Sequence, residues 1–186
     1  MDDMDPLSDS FSHDCNTPTD TSPPESYADP DHPPYLAPLA VPPEGGATFV
    51  IRDPQTGLVI ALRNGMLSLR PERQVHGFGL TGRGSHWHCV ENDELWLGFR
   101  NAVSGTYIGH DNKQSCWRFI ADAKAHKPWE WFCARQHPGG GHMLLVRHND
   151  GFRAMKIGGE QNRELIVGER GQGGTAWEFI VVDDED

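Results

Sequence analysis

Apolar residues arrive in short runs along this chain, and polar turns cut the runs at close intervals. "TFVIR", "LVIAL", "MLSL" and "HWHCV" follow one another between residues 48 and 90, separated by "DPQTG", "RNG" and a longer polar insertion. β-Branched and aromatic residues dominate these runs, which is the composition that packs well on a pleated surface. No stretch sustains the 3.6-residue period of an amphipathic helix. The connectors are rich in Gly, Asn, Asp and Pro, the residues that turns demand. The pattern predicts an all-β protein.

The series of runs occurs three times. An apolar strand ends in Arg at Arg52, Arg100 and Arg147, spaced by 48 and 47 residues. A turn follows each Arg and contains Gly57, Gly105 or Gly151, which predicts positive φ at those glycines. A second apolar run comes next, namely "LVIAL", "TYIGH" and "FRAMKI". Each unit closes near a tryptophan, Trp87, Trp131 or Trp177, and two places on stand Cys89, Cys133 and Phe179. Period two puts each such pair on one strand face, so the Trp residues and both thiols are expected in the core. Each unit has room for four strands. A propeller of four-stranded blades has a similar repeat length but needs at least four of them. A sandwich has no reason to repeat three times. Three units of four strands about a pseudo-threefold axis predict a β-trefoil of twelve strands over residues 47–182, with repeats near 47–92, 93–139 and 140–182.

Charge divides the chain further. Residues 1–46 hold ten Asp or Glu and no Lys or Arg, with abundant Pro, Ser and Thr. Such a segment buries too little apolar surface to offset its conformational entropy, so a disordered acidic tail is expected. Residues 183–186 form an acidic end. Between them stand 16 Lys and Arg against 13 acids, a net of +3. With no basic stripe, nucleic acid is not an expected partner. No apolar stretch reaches membrane-spanning length, and "MDDMDPLSDS" lacks the basic-then-apolar pattern of a secretion signal. Cys15, Cys89, Cys116 and Cys133 are then expected as reduced thiols of a cytoplasmic, monomeric protein.

Candidate chemistry is sparse. His86 and His88 share a strand face, and "HPGGGH" adds His137 and His142, but the other repeats carry different residues at the matched places. No metal is expected. "HPGGGH" also lacks the Lys and Ser or Thr of a phosphate loop, and no helix follows it, so it reads as a hairpin turn. No Ser-His-Asp, Cys-His or paired-carboxylate arrangement can be named, so neither a catalytic residue nor a cofactor is expected, and the chain reads as a non-enzyme. A binding surface is better supported. If Leu97 and Phe99 face inward, Trp96 and Arg100 alternate outward. Arg83 lies in "TGRGSH", within the long loop that breaks the threefold pattern. Exposed Trp and Arg dominate protein interfaces, so Trp96, Arg100 and Arg83 are the expected binding residues.

Turns of the "FRNAVSGTYIGHD" kind with endings of the "AWEFIVV" kind resemble the fascin-like, actin-crosslinking branch of the β-trefoil superfamily. "GTYIG" and "AWEF" match its repeat, while "HWHC" and "EWFC" depart by lacking Glu after the Trp. Residues 47–182 are also similar to single-trefoil proteins of fungi. The resemblance implies a trefoil that binds a protein partner, with actin as the family's candidate. Bundling does not carry over, since a single trefoil is a poor crosslinker. A carbohydrate-binding module is the alternative. Ricin-type lectins carry Gln two residues before the Trp, where this chain has Ser85, Trp129 and Thr175, and that difference disfavours sugar binding of that type.

Overall fold

The structure, a computed structural model, describes residues 41–72, 83–111, 117–149, 151–159 and 161–182. Among them twelve strands form. The first repeat supplies β1 (Thr48–Arg52), β2 (Leu58–Arg63), β3 (Met66–Pro71) and β4 (His86–Glu91). The second supplies β5 (Leu97–Asn101), β6 (Tyr107–His110), β7 (Phe119–Ala123) and β8 (Phe132–Gln136). The third supplies β9 (His142–His148), β10 (Gly151–Gly158), β11 (Glu164–Val167) and β12 (Glu178–Val181).

The first and last strands of the repeats make a barrel. β1, β4, β5, β8 and β9 are neighbours, with β9, β8, β5, β4 and β1 following one another in the sheet, and β12 pairs with β1. A bridge between His142 and Trp177 joins the two ends of the third repeat. The remaining strands form the hairpins β2–β3, β6–β7 and β10–β11. Leu69 donates its N–H to the Arg163 carbonyl at 2.8 Å and Val167 donates to that of Trp117 at 2.8 Å, so the hairpins bind one another as a cap. This is the β-trefoil that the three repeats predict. Its core is contributed by every repeat: Phe49, Ile51, Trp87, Cys89, Phe99, Phe132, Val146, Trp177 and Phe179 are all buried. Trp87 ties barrel to cap by donating from Nε1 to the Ile60 carbonyl at 2.9 Å.

Several expected equivalences fail in the second and third repeats. Trp131 is half-buried on the outer side of the barrel, and Phe132, fully buried, fills the core place. Cys133 is half-buried, whereas Cys89 is fully buried. The core series is therefore Trp87, Phe132 and Trp177, and Trp131 corresponds to His86. The three Arg residues hold one strand position but have three different partners. Arg52 pairs with Glu178 at 2.8 Å, Arg100 donates from Nε to the Gly105 carbonyl at 3.1 Å, and the Arg147 guanidinium lies 5.3 Å over the Trp131 ring. Gly57 and Gly105 both have φ of 69°, as their turns require, but in the third repeat Asn149 takes the left-handed conformation with φ of 43° and Gly151 does not.

The residues just before Ala47, placed with the tail on composition, lie against the barrel. Val41 donates its N–H to the Phe179 carbonyl at 3.3 Å, Pro43 is buried, and Gly46 donates to the Cys89 carbonyl at 2.8 Å. Cys15, Cys116, the remainder of the tail and the acidic end lie outside the described residues, as does most of the long loop before Arg83.

Candidate binding surface

Each repeat buries one polar side chain immediately after its Arg: Asp53, Asn101 and His148. The first two organise the turn that follows. Asp53 accepts hydrogen bonds from Thr56 Oγ1 at 2.5 Å and the Gln55 N–H at 3.2 Å. Asn101 Oδ1 accepts from the N–H groups of Val103 and Ser104, both at 3.1 Å, and Asn101 Nδ2 donates to the Gly84 carbonyl at 2.9 Å. His148 instead enters a column of rings. Its centroid lies 4.5 Å from Trp117 and 5.3 Å from His110, and His110 stacks on Trp129 at 5.4 Å and 22°. Burial, and next the neighbouring His148, hold the His110 pKa below the ordinary histidine value.

Trp129 stands in a 3-10 turn, Pro128–Glu130, that leads into β8. Pro128 presets φ at the first position of the turn. Glu130 closes it: its N–H donates to the Lys127 carbonyl at 2.9 Å, and its Oε2 accepts from the Lys127 N–H at 3.1 Å. The Glu130 carboxyl is buried, and that burial raises its pKa, partly opposed by the backbone bond from Lys127. Trp129 is 45% exposed, with one face backed by His110. It forms a wall of an open cleft of about 360 Å³ that is also lined by Lys124, Lys127, Pro128 and Glu130.

A glycine placed on β6 makes room for this arrangement. The first and third repeats have Gly84 and Gly174 at the place of Trp129. A Cβ on Gly84 would lie 2.7 Å from the Leu62 carbonyl oxygen, and one on Gly174 would lie 2.9 Å from the Ala154 Cβ. In the second repeat the small residue stands on the facing strand. A Cβ on Gly109 would lie 2.7 Å from Glu130 Oε1 and 3.1 Å from the Trp129 carbonyl oxygen. Glycine on β6 thus makes room for the Glu130 carboxyl and for the backbone of the turn that carries Trp129. Beside Gly84 in the first repeat there is a smaller hollow of about 280 Å³, lined by Arg63, Asn64 and Ser104 among others and by no aromatic side chain. The sequence signal for the cleft was a glycine inside a strand, "YIGH", which marks close approach of another segment.

Of the three residues expected to bind, Trp96 immediately precedes β5, Arg100 lies on it, and Arg83 lies elsewhere. Leu97 and Phe99 do face inward, and Arg100 is exposed. Trp96 is half-buried in an aromatic platform, stacked on Trp131 at 5.8 Å and 12° and packed against Phe152 at 5.8 Å. Arg147, over Trp131, completes the platform. Arg100 contacts its own turn at Gly105. Arg83 opens the 3-10 turn Arg83–Ser85, which packs on β2 beside the first-repeat hollow. Next to Trp96, Leu95 is 75% exposed with φ of 66°, held by its N–H bond to the Asn92 carbonyl at 2.9 Å.

The other histidines have separate duties. His88 Nδ1 lies 3.4 Å from Thr48 Oγ1, His137 Nδ1 accepts from the Gly139 N–H at 3.0 Å, and His142 packs edge-on against Phe179. Among the described residues no group of three or more His, Cys, Asp or Glu is arranged to hold a metal.

No family model and no curated protein matches the chain. Solved structures do. A ricin B-like lectin of Macrolepiota procera in complex with lactose is 15% identical, with a TM-score of 0.57 over 75% of this chain and 99% of the lectin. The shared fold is the β-trefoil. An agglutinin of Rhizoctonia solani is 16% identical, with a TM-score of 0.55 over 78% of this chain and 100% of the agglutinin. A GlcNAcα1-4Gal-releasing endo-β-galactosidase of Clostridium perfringens is 14% identical, with a TM-score of 0.58 over 74% of this chain and 33% of the enzyme. These three neighbours are thus a lectin, an agglutinin and part of a glycosidase. None of these is a fascin-like protein.

Proposed function

We propose that this trefoil is a non-catalytic glycan-binding module and that it binds at the cleft beside Trp129. The observation that carries this reading is the Trp129 ring: it is 45% exposed in a concave surface and supported from behind by His110. A pyranose has one face of C–H groups that packs on an aromatic ring, while its hydroxyls need polar partners at the rim. Lys124 and Lys127 supply such partners. The fold supports the reading too, since it is shared with a lectin solved with lactose and with an agglutinin. The Gln expected of ricin-type lectins is missing from the second repeat on either assignment, since Glu130 stands two residues before Phe132, so the reading rests on Trp129 and not on that motif. Filament binding, implied by the fascin-like resemblance, draws no support from these neighbours.

A glycan array probed with the full chain tests the proposal, followed by titration of any hit against tryptophan fluorescence. Trp129→Ala is expected to weaken the hit about 5- to 150-fold, given that one base–aromatic stack in nucleic-acid recognition is worth about 1–3 kcal/mol. Unchanged circular dichroism would show the variant folded. Wild-type protein that binds no glycan sinks the reading. A protein partner at the Trp96 platform is the second reading, favoured by the exposure of Leu95 and Phe152 beside stacked rings and Arg147. Loss of a captured partner on Trp96→Ala, with no effect of Trp129→Ala, would select it.

A further inference from the structure

We infer that the Trp129 cleft selects acidic saccharides, with a uronate-type carboxylate held between Lys124 and Lys127 while the sugar ring lies on Trp129. This deepens the glycan reading above and rests on it. Three observations meet in the cleft. Both lysines line it and both are exposed, so their ammonium groups reach solvent at its rim. Pro128 fixes Lys127 relative to Trp129 through a one-turn 3-10 segment, and Lys124 stands on the chain that leads in from β7. The one carboxylate of the lining, Glu130, is not available as a rim group. It is buried, its Oε2 takes the Lys127 N–H, and its Oε1 sits against Gly109. The rim of the cleft therefore carries two exposed ammonium groups, while the carboxylate of the lining is buried and interacts with Lys127. Asp122 is exposed on β7 but is not among the lining residues.

A neutral sugar would gain from Trp129 but not from the charge of the two exposed ammonium groups. An acidic sugar gains from both. Exposed ion pairs are individually weak, so the preference is modest and sensitive to salt. Two such pairs predict about a tenfold advantage at low ionic strength. The advantage shrinks as the Debye length falls toward a few ångströms near 1 M salt.

The test is a titration of the full chain with two matched oligosaccharides, one ending in glucuronate and one in glucose, followed by tryptophan fluorescence at low and high salt. The expected result is tighter binding of the glucuronate ligand, about tenfold at low salt, converging on the neutral ligand at high salt. The double variant Lys124→Gln/Lys127→Gln should bind both ligands alike, so that the glucuronate-to-glucose affinity ratio falls to about one. Equal wild-type affinity for the two ligands overturns the inference and leaves the glycan reading standing. A glucuronate preference that survives in the double variant also overturns it, since the charge would then be read elsewhere. Binding of neither ligand, together with a silent glycan array, removes both proposals.

Discussion

Asn101 holds the turn after β5 with a side chain that is almost wholly buried and fully engaged in hydrogen bonds. Removing one member of such a set leaves the partners unsatisfied, so Asn101→Ala is expected to cost about 2–4 kcal/mol in denaturant unfolding. An exposed change such as Glu94→Ala should stay within about 0.5 kcal/mol. His110 gives the pH dependence its sign. Its folded pKa is lowered, so the unfolded chain takes up the proton first. The stability it contributes is complete above the ordinary value of about 6.5 and is lost as pH falls through the folded pKa. His126 and His142 are lowered by burial and act in the same direction. Glu130, with a raised folded pKa, acts oppositely, gaining stability as pH falls through that value toward the usual carboxylate range. Unfolding midpoints should therefore drop between pH 7.5 and 5.5, and His110→Gln should flatten the drop; a midpoint that rises on acidification would contradict the assignment. The thiols divide by burial. Cys89 is pushed up to about 12 by burial, then by Glu91, and should label far more slowly in the native protein than half-buried Cys133. Little of this was legible beforehand. The sequence shows only a polar residue after each Arg; Asp53 and Asn101 cap their turns with partners two and three residues on, but the ring column that takes His148 is built from Trp117 and His110, more than thirty residues away.

Among the elements, β8 separates what pattern can show from what it cannot. All twelve strands were legible, because short β-branched runs between turn residues have few other ways to fold. The buried face of β8 was not. "EWFCAR" offers two adjacent aromatics, and an equally good alternation starts from either one. The Trp spacing pointed to Trp131, but the places 45 residues from both Trp87 and Trp177 belong to Phe132. The difference is measurable. Phe132→Ala should cost about 3–5 kcal/mol, as loss of a fully buried aromatic does, and Trp131→Ala clearly less. The reverse order in thermal or denaturant unfolding would restore the original assignment. The 3-10 turn before β8 was invisible for a related reason. "HKPWEW" has too few residues to establish a period, and only the packing of Glu130 against Gly109 and of Trp129 on His110 shows that the turn faces β6. The cleft was thus unread, while Trp96, on a strand edge that alternation does resolve, was found.

At the scale of the whole molecule, the trefoil begins before its first strand. Val41 and Pro43 pack at the barrel, and Gly46 donates to β4. A chain starting at residue 47 should melt several degrees below one starting at residue 41, and equal melting temperatures would show these contacts to be idle. The threefold architecture itself carries a further consequence, through the exchange of glycine between facing segments. Gly84 and Gly174 occupy in their repeats the place that Trp129 occupies in its own, so among the described residues the Trp129 wall has no counterpart in the other two repeats. A pseudosymmetric barrel with three equal sites is trivalent by construction and can link ligand-bearing surfaces. One with a single site is univalent, gains nothing from avidity, and dissociates at the rate of one contact. On the proposed glycan reading, calorimetric titration should accordingly give one ligand per chain, and the protein should coat glycan-bearing particles without clumping them.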